Sequence, residues 1–354
     1  MVKAVAIKGS RLVYILISVA LSAVLLALLF SQLETGDLAR VLRSLFLPAL
    51  LGYMAASLAG ALLRTWRYRL LFGRGVVRWP PLLLATFVRN SFVDLLPARA
   101  GSLSFIYILN RRLSVPFETV TSVFVVSFVY DFLTLGPFVV AAVVLAGLGR
   151  EHLNSAALIA IGTVFSLLWL AILRWLPEAA ALVFRLVHAT LRAFKRSEGK
   201  TPRLIEEKFQ ATIDALRSVR ARKMELALLA QSFLIRLAKY VSIYLLLAAL
   251  LRNSGFDFSR LGFWTMILGL TGAEMTSSFP IKGLAGFGTW ETAWALTFTL
   301  MGIDTRLAVV SGLGVHLLTN VFEYTLGIAS LLVLATPFLR RRNNTPPPSN
   351  GQAA

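Results

Sequence analysis

The chain has 354 residues, of which 57% are apolar and 15% are charged. Soluble domains are about 45–50% apolar and about 25% charged, so this composition excludes a disordered chain and argues against a soluble domain. Six to eight membrane helices of about 20 residues each would account for the apolar excess. Cysteine is absent, which excludes disulfides, thiolate catalysis and cysteine zinc sites.

The apolar runs predict six full membrane spans, because each is long enough to cross the hydrocarbon core with few charges. They cover residues 12–30, 45–63, 117–147, 153–173, 224–251 and 307–339. Two further segments, 80–116 and 261–301, are interrupted by proline, glycine and charged residues. We therefore predict an all-α fold: a polytopic membrane helix bundle in one domain over residues 1–339, with two re-entrant broken-helix hairpins. The Pro- and Asn-rich tail, 340–354, is predicted to be disordered.

The charge of the chain is distributed unevenly. Lysine and arginine number 36 against 17 acidic residues, a net charge of +19. Five arginines and no acid occur in the predicted loop 64–78, and segment 174–223 holds 12 basic and 5 acidic residues. Loops on the opposite side nearly cancel. By the positive-inside rule, the basic loops and both termini are expected in the cytoplasm, within the cell membrane, and the charge requires no nucleic acid.

Segment 174–223 also contains a helical pattern. Its apolar positions recur at helical spacing among basic neighbours: Ile205, Phe209, Ile213, Leu216 and Val219. The pattern indicates a helix that lies on an anionic membrane surface or caps the bundle. A solvated connector fits the sequence equally well.

The two interrupted segments share one order of parts: an apolar half-helix, a proline, a glycine-containing turn, a second half-helix and a long helix with an acid. The order predicts repeat one over about 45–147 and repeat two over about 224–339. An odd number of full crossings separates the segments, so the repeats are expected to be inverted, as in many secondary transporters. Proline and glycine are also common in membrane helices, so the likeness could arise without duplication.

Ionisable side chains at membrane depth are costly unless they pair or line a wet cavity, so they are candidate site residues. They are Arg89, Asp94, Arg99, Asp131, Lys282, Glu291, His316 and Glu323. Arg99 is the best candidate phosphate ligand because its guanidinium can donate two parallel hydrogen bonds. An internal pair with Asp94 or Asp131 is its alternative. The acids could bind an ammonium headgroup, carry a coupling proton or pair with arginines.

The last predicted helix carries a second pattern. His316, Asn320, Glu323 and Tyr324 are spaced by four, seven and eight residues, so they share one helix face and could relay protons. A histidine in a membrane helix also commonly makes an interhelical hydrogen bond, which remains an alternative. No metal site is expected from three scattered histidines.

Two motifs carry a family resemblance. The first is N-S-F-x-x-L-L-P-A-R-A-G from Asn90 to Gly101, and the second is S-F-P-x-x-G-x-x-G-F-G-x-x-E from Ser278 to Glu291. With them the chain resembles the lysylphosphatidylglycerol synthase transmembrane-region family, also called flippase-like. The resemblance implies site positions at Pro97, Arg99, Gly101, Gly286, Gly288 and Glu291. The chain differs from the family pattern at three of its polar positions: Ser102, Phe105 and His316.

The resemblance implies a protein that moves a membrane lipid between leaflets, or that assists a pathway using such a lipid. We expect a transporter without cofactor rather than an enzyme, because aminoacyl transfer in fused family members belongs to a separate soluble domain. A membrane enzyme that uses His316 and Glu323 as acid and base is one alternative. An accessory subunit anchored through segment 174–223 is another, and self-association is left open.

Overall fold

The computed structural model describes residues 17–73, 75–93, 101–147, 155–175, 178, 213–215, 217–219, 221–276 and 283–336. Helices and the turns between them account for these residues, and no strand occurs among them. The prediction of an all-α membrane bundle is therefore confirmed. The predicted tail, 340–354, lies outside the described residues.

Eleven α-helices organise the described part of the chain. The first seven are α1 (Ile17–Phe30), α2 (Asp37–Arg43), α3 (Leu47–Phe72), α4 (Trp79–Phe92), α5 (Ser104–Arg111), α6 (Phe117–Gly147) and α7 (Ser155–Arg174). The other four are α8 (Glu225–Leu251), α9 (Phe263–Thr276), α10 (Thr289–Leu300) and α11 (Thr305–Ala335). Short 3₁₀ turns cover Phe258–Arg260 and Leu284–Gly286.

Local sequence signals explain where several helices begin. Proline lies in the first turn of α3 and of α4, where its missing N–H has no partner in any helix. Asp304 caps α11, because its side chain accepts a hydrogen bond of 2.9 Å from the backbone N–H of Leu307. These caps fix the helix starts that the sequence pattern alone places only approximately.

Four helices, α3, α6, α8 and α11, are long and apolar enough to cross a membrane. They correspond to four of the six predicted spans. The predicted spans 12–30 and 153–173 coincide with α1, described from Ile17, and with α7; that these two cross the bilayer stays a prediction. Together the apolar helices make the chain a multi-pass membrane protein.

The predicted end of the second span at residue 63 is wrong, because α3 continues to Phe72. Arg64, Arg67 and Arg69 therefore belong to a helix and not to a basic loop. The helix can continue past the first arginine because Arg67 is buried against a carboxylate of another helix. No proline or glycine occurs between the predicted end at residue 63 and Gly73.

The same order of helices occurs twice. The set α3 to α6 has lengths of 26, 14, 8 and 31 residues, and the set α8 to α11 has lengths of 27, 14, 12 and 31 residues. Helix α3 packs along α8, while α4 packs on α11 and α9 packs on α6. The first short helix of each set thus packs on the last long helix of the other set. That the two sets run in opposite directions across the bilayer stays a prediction.

The end of the basic segment packs on the bundle. Val219 is buried beside Val126, Tyr130 and Leu228 of α6 and α8, and Ile213 is also buried. Helical turns cover 213–215 and 217–219; that the segment as a whole caps the bundle stays a prediction. Most of segment 174–223 lies outside the described residues.

Candidate functional site

Four of the sequence-predicted ionisable residues fall into two polar groups inside the bundle. Arg89 and Asp131 belong to the first, which we call the arginine cluster: Arg64, Arg67, Arg89 and Arg236 with Asp131 and Asn90. Glu291 and His316 form the second. The predicted residues Asp94, Arg99 and Lys282 lie outside the described residues.

An ion pair between a fully buried arginine and a partly buried aspartate forms the centre of the arginine cluster. Arg67 of α3 has no exposed side-chain area, and it donates from Nη1 to Oδ1 of Asp131 at 2.6 Å and from Nη2 to Oδ2 at 3.0 Å. Nη1 also donates to the hydroxyl of Ser232 in α8 at 2.7 Å. This parallel two-bond geometry is the strong form of an arginine–carboxylate contact. It joins α3, α6 and α8.

Arg236 of α8 makes its hydrogen bonds to the same stretch of α6. Its Nε donates to the hydroxyl of Thr134 at 3.2 Å, and its Nη2 donates to the backbone carbonyl of Asp131. Its Nη1 donates to the hydroxyl of Tyr240 at 3.3 Å. The guanidinium therefore holds α8 against α6 through several polar atoms.

Arg64 and Arg89 share one uncharged acceptor. Arg64 Nη1 donates to Oδ1 of Asn90 at 3.1 Å, and Arg89 Nη1 donates to the same atom at 3.3 Å. Arg89 is 8% exposed, and its guanidinium carbon lies 5.9 Å from the centre of the Phe124 ring. The Nε atoms of both arginines are buried and have no hydrogen-bond partner among the described residues.

Glu323 lies beside this cluster. A cavity of about 10 Å³, enough for about one water molecule, is lined by Ser57, Ala61, Phe87, Asn90, Glu323 and Leu326. The hydroxyl of Ser91 donates to the backbone carbonyl of Glu323 at 2.6 Å. The cavity therefore lies where α4 of the first helix set meets α11 of the second.

Glu291 and His316 form a compact pair in the second helix set. Nδ1 of His316 lies 2.6 Å from Oε1 of Glu291, and Oε2 of Glu291 accepts a hydrogen bond of 2.8 Å from the backbone N–H of Gly288. Both side chains are buried. The imidazole stacks near Trp290 and Phe287, with ring centres 4.9 and 4.7 Å away. Both oxygens of this carboxyl group therefore have a hydrogen-bonding partner.

The glycine positions explain how the chain turns next to these groups. Gly288 has φ +84°, and a Cβ there would lie 2.9 Å from Cβ of Leu25 in α1. A Cβ on Gly101 would lie 1.4 Å from the carbonyl oxygen of Phe92, so only glycine lets this turn approach the end of α4. Gly286 lies against His316, whose ring would be 3.5 Å from an added Cβ.

A third charged group joins α2 to the start of α11. Arg306 donates to both carboxylate oxygens of Asp37 at 2.6 Å and to both of Glu34 at 2.5 and 2.7 Å. The hydrogen bond from Arg306 holds the pKa of Asp37 below its ordinary value of 3.8, so this buried carboxylate is ionised at neutral pH. Under the predicted orientation, this contact lies on the outer side.

Four residues of the cluster are not among the predicted site residues: Arg64, Arg67, Arg236 and Asn90. The first two were assigned to a loop, although the absence of helix breakers before Gly73 is a signal for continued helix. His316 contacts Glu291, whereas Glu323 lies beside Asn90. The residues of α11 that the spacing predicts as a proton relay therefore lie in two different parts of the bundle. Among the described residues, no three His, Asp or Glu side chains are grouped so as to hold a metal ion.

Comparison with known proteins adds one match. The family model described as lysylphosphatidylglycerol synthase TM region matches residues 15–327, from the start of α1 into α11. The match covers both helix sets and both polar groups. No curated protein matches the chain.

Proposed function

We propose, since this chain belongs to the lysylphosphatidylglycerol synthase transmembrane-region family, that it moves a lipid with a charged headgroup between the leaflets of the cell membrane. Membership ties this multi-pass membrane protein to lipid modification or transport. The lipid is a phospholipid or a polyprenyl lipid, and movement occurs by alternating access. The protein acts as a transporter and needs no catalytic residue.

The arginine cluster carries this proposal. With a rise of 1.5 Å per residue, Arg67 lies about 8 Å before the end of α3, Arg236 about 16 Å after the start of α8 and Asp131 about 21 Å after the start of α6. These positions lie well inside helices long enough to span the membrane. Apolar side chains would stabilise a purely structural bundle at least as well as buried charges. Four guanidinium groups around one contacting carboxylate therefore support a functional role.

A polar centre of this kind lowers the barrier to headgroup transfer. A charged headgroup loses its water in hydrocarbon, and fixed donors between helices can replace that water while the acyl tails stay in lipid. Donors of the cluster come from α3, α4 and α8. Backbone N–H groups after Gly101 and Gly288 are further candidate donors.

The cross-packing of the two helix sets supports alternating access. In an inverted repeat, each set can rock against the other around a site near the midplane. Contacts of α4 with α11 and of α9 with α6 are the surfaces that such rocking would change. The contact of Arg306 with Asp37 and Glu34 joins α2 to the start of α11, and it is a further contact that such rocking would change.

Transbilayer movement of a labelled phospholipid in proteoliposomes tests the proposal. We expect wild-type protein to accelerate the movement, and we expect Arg64→Ala and Arg89→Ala to abolish it while the protein stays folded. Arg69→Ala is the matched control, because Arg69 is an exposed arginine of α3 that contacts Trp79 and lies outside the cluster. Wild-type rates in both site variants would refute the assigned site.

An accessory role in a lipid-modifying pathway is the second candidate. It is favoured by the basic segment 174–223, whose end docks on the bundle through Val219 and could present the rest to a partner. Deletion inside this segment should abolish an accessory function but leave lipid movement intact. Turnover of a lipid by the purified protein would instead support an enzyme.

A further inference from the structure

The four arginines of the cluster differ in what they contact. Arg67 and Arg236 bind groups of the protein that use most of their donors: a carboxylate, hydroxyl groups and a backbone carbonyl. These contacts bridge α3, α6 and α8. Removing either side chain would separate helices, so we assign both to the scaffold of the site.

Arg64 and Arg89 lack such compensation. Both direct one donor to Oδ1 of Asn90, an oxygen that carries only a partial negative charge. No carboxylate within the described part of the chain forms an ion pair with either of them. Arg89 is more than nine-tenths buried with an unpartnered Nε. Two like charges that converge on a neutral atom are unfavourable in a low-dielectric interior.

We infer that Arg64 and Arg89 form the headgroup subsite of this protein and that the group they bind is a phosphate ester; the inference rests on the proposed lipid transport. An anionic phosphate oxygen in the place of the Asn90 amide oxygen would offset both charges. Guanidinium groups suit this ligand because they donate paired hydrogen bonds in a fixed plane.

The net charge of the region agrees with an anionic ligand. The cluster holds four arginines and one carboxylate, that of Asp131, and Glu323 lines the small cavity next to Asn90. The described residues of this region therefore carry four cations against two carboxylates. A ligand with one negative charge or two therefore brings the region close to neutrality, whereas an ammonium group alone would increase its positive charge.

The size of the cavity indicates when the phosphate enters. About 10 Å³ beside Asn90 is room for about one water molecule and not for a phosphate. Helix α11 lines the cavity through Glu323 and Leu326, while α4 lines it through Phe87 and Asn90 and α3 through Ser57 and Ala61. The subsite therefore opens only when α11 moves away from α3 and α4, which is the rearrangement that alternating access requires.

Lipid retention measures this subsite without any transport. Purified protein is incubated with mixed micelles containing equal amounts of phosphatidylglycerol and diacylglycerol, and the retained lipids are quantified by mass spectrometry. We expect the wild type to enrich phosphatidylglycerol, and we expect Arg64→Gln and Arg89→Gln each to reduce the enrichment at least about ten-fold, as for lost hydrogen bonds to a charged group. Arg69→Gln removes the same charge from the same helix and should keep the wild-type value.

Asn90→Asp is the decisive second variant. A carboxylate at this position would pair with Arg64 and Arg89 and take the place of the phosphate. We expect this protein to fold, to melt at a higher temperature than the wild type and to lose the enrichment. Wild-type enrichment in Asn90→Asp or in both glutamine variants would overturn the inference.

Inorganic phosphate distinguishes the two sources of the ligand. Displacement of retained phosphatidylglycerol by an equal concentration of inorganic phosphate would assign the subsite to a free anion and overturn the lipid assignment. Resistance to such displacement supports the lipid. Enrichment without transbilayer movement would leave the subsite intact and refute the transport function, whereas movement without enrichment would refute the subsite alone.

Discussion

The arginine cluster and the Glu291–His316 pair are both buried in the bundle, but they differ in how completely their charges are compensated. Each oxygen of Glu291 has a hydrogen-bonding partner, and the imidazole of His316 lies between aromatic rings. In the cluster, Asp131 is bound by two arginines while Arg64 and Arg89 share a neutral amide. The polar groups of the pair are satisfied without a ligand, whereas two arginines of the cluster lack an anionic partner.

The two groups also differ in which helices they connect. The Glu291–His316 pair joins α10 to α11 within one helix set. The cluster joins α3, α4 and α6 of the first set to α8 of the second. This difference indicates that the pair stabilises the shape of one set, whereas the cluster lies where relative movement of the sets changes its surroundings.

Removal of the central carboxylate should cause the largest loss of stability, and it tests the contrast between the two polar groups most directly. Asp131→Leu leaves Arg67 buried without its partner, and loss of one member of a buried ion pair typically lowers the free energy of unfolding by about 3–5 kcal/mol. Chemical unfolding in detergent micelles measures this loss. The double variant Asp131→Leu with Arg67→Met removes both charges and should regain most of it. An unchanged unfolding free energy in Asp131→Leu would mean that the pair does not hold these helices.

Glu291→Gln tests whether the Glu291–His316 pair contributes to stability and not to ligand binding. The amide can still accept from the N–H of Gly288, but it loses the charge that strengthens both hydrogen bonds, so we expect a loss of about 1.5–3 kcal/mol in unfolding free energy. Lipid enrichment should stay at the wild-type value, because the headgroup subsite lies in the cluster. Glu118→Gln is the matched control: Glu118 is also in a first helical turn, but it is exposed. Loss of enrichment in Glu291→Gln would show that the pair belongs to the ligand site.

Some of this arrangement follows from the sequence and some does not. Long apolar runs predict the membrane helices, and the glycine-rich motif predicts a turn with Glu291 just after it, because both signals are local. The ion pair of Arg67 and Asp131 spans 64 positions of the chain, and a charge at the end of an apolar run ordinarily marks the end of a membrane span. The sequence therefore predicts a loop at a position where the folded chain is helical. The helix continues there because the charge pairs with a residue that is distant in the sequence.

The assignment of His316 shows the same limit. Its spacing to Asn320 and Glu323 correctly places the three residues along one face of a helix. Periodicity does not tell which neighbouring helix each residue meets, because that depends on how the helices cross. In the structure, α10 supplies the partner of His316, and α4 supplies the residues beside Glu323. The two neighbourhoods become visible only when the packing is known.

Gly327→Ala gives the smallest effect and tests the contact between the two helix sets. A Cβ on Gly327 of α11 would lie 1.9 Å from the hydroxyl oxygen of Ser91 in α4, which donates to the carbonyl of Glu323. Overpacking costs about 1–3 kcal/mol and alanine regains about 1 kcal/mol of helix propensity, so we expect a net loss of about 1 kcal/mol. Thermal unfolding in micelles measures it.

Gly60→Ala is the matched substitution, because the nearest atom to its added methyl is Cβ of Ala238 at 3.7 Å, an ordinary contact. It should leave the stability unchanged or raise it by up to about 1 kcal/mol. The methyl at position 327 forces α4 and α11 apart beside Asn90, so it should also alter access to the headgroup subsite, whereas Gly60→Ala should not. Identical stability and identical lipid enrichment in the two variants would show that the spacing of α4 and α11 does not close the site.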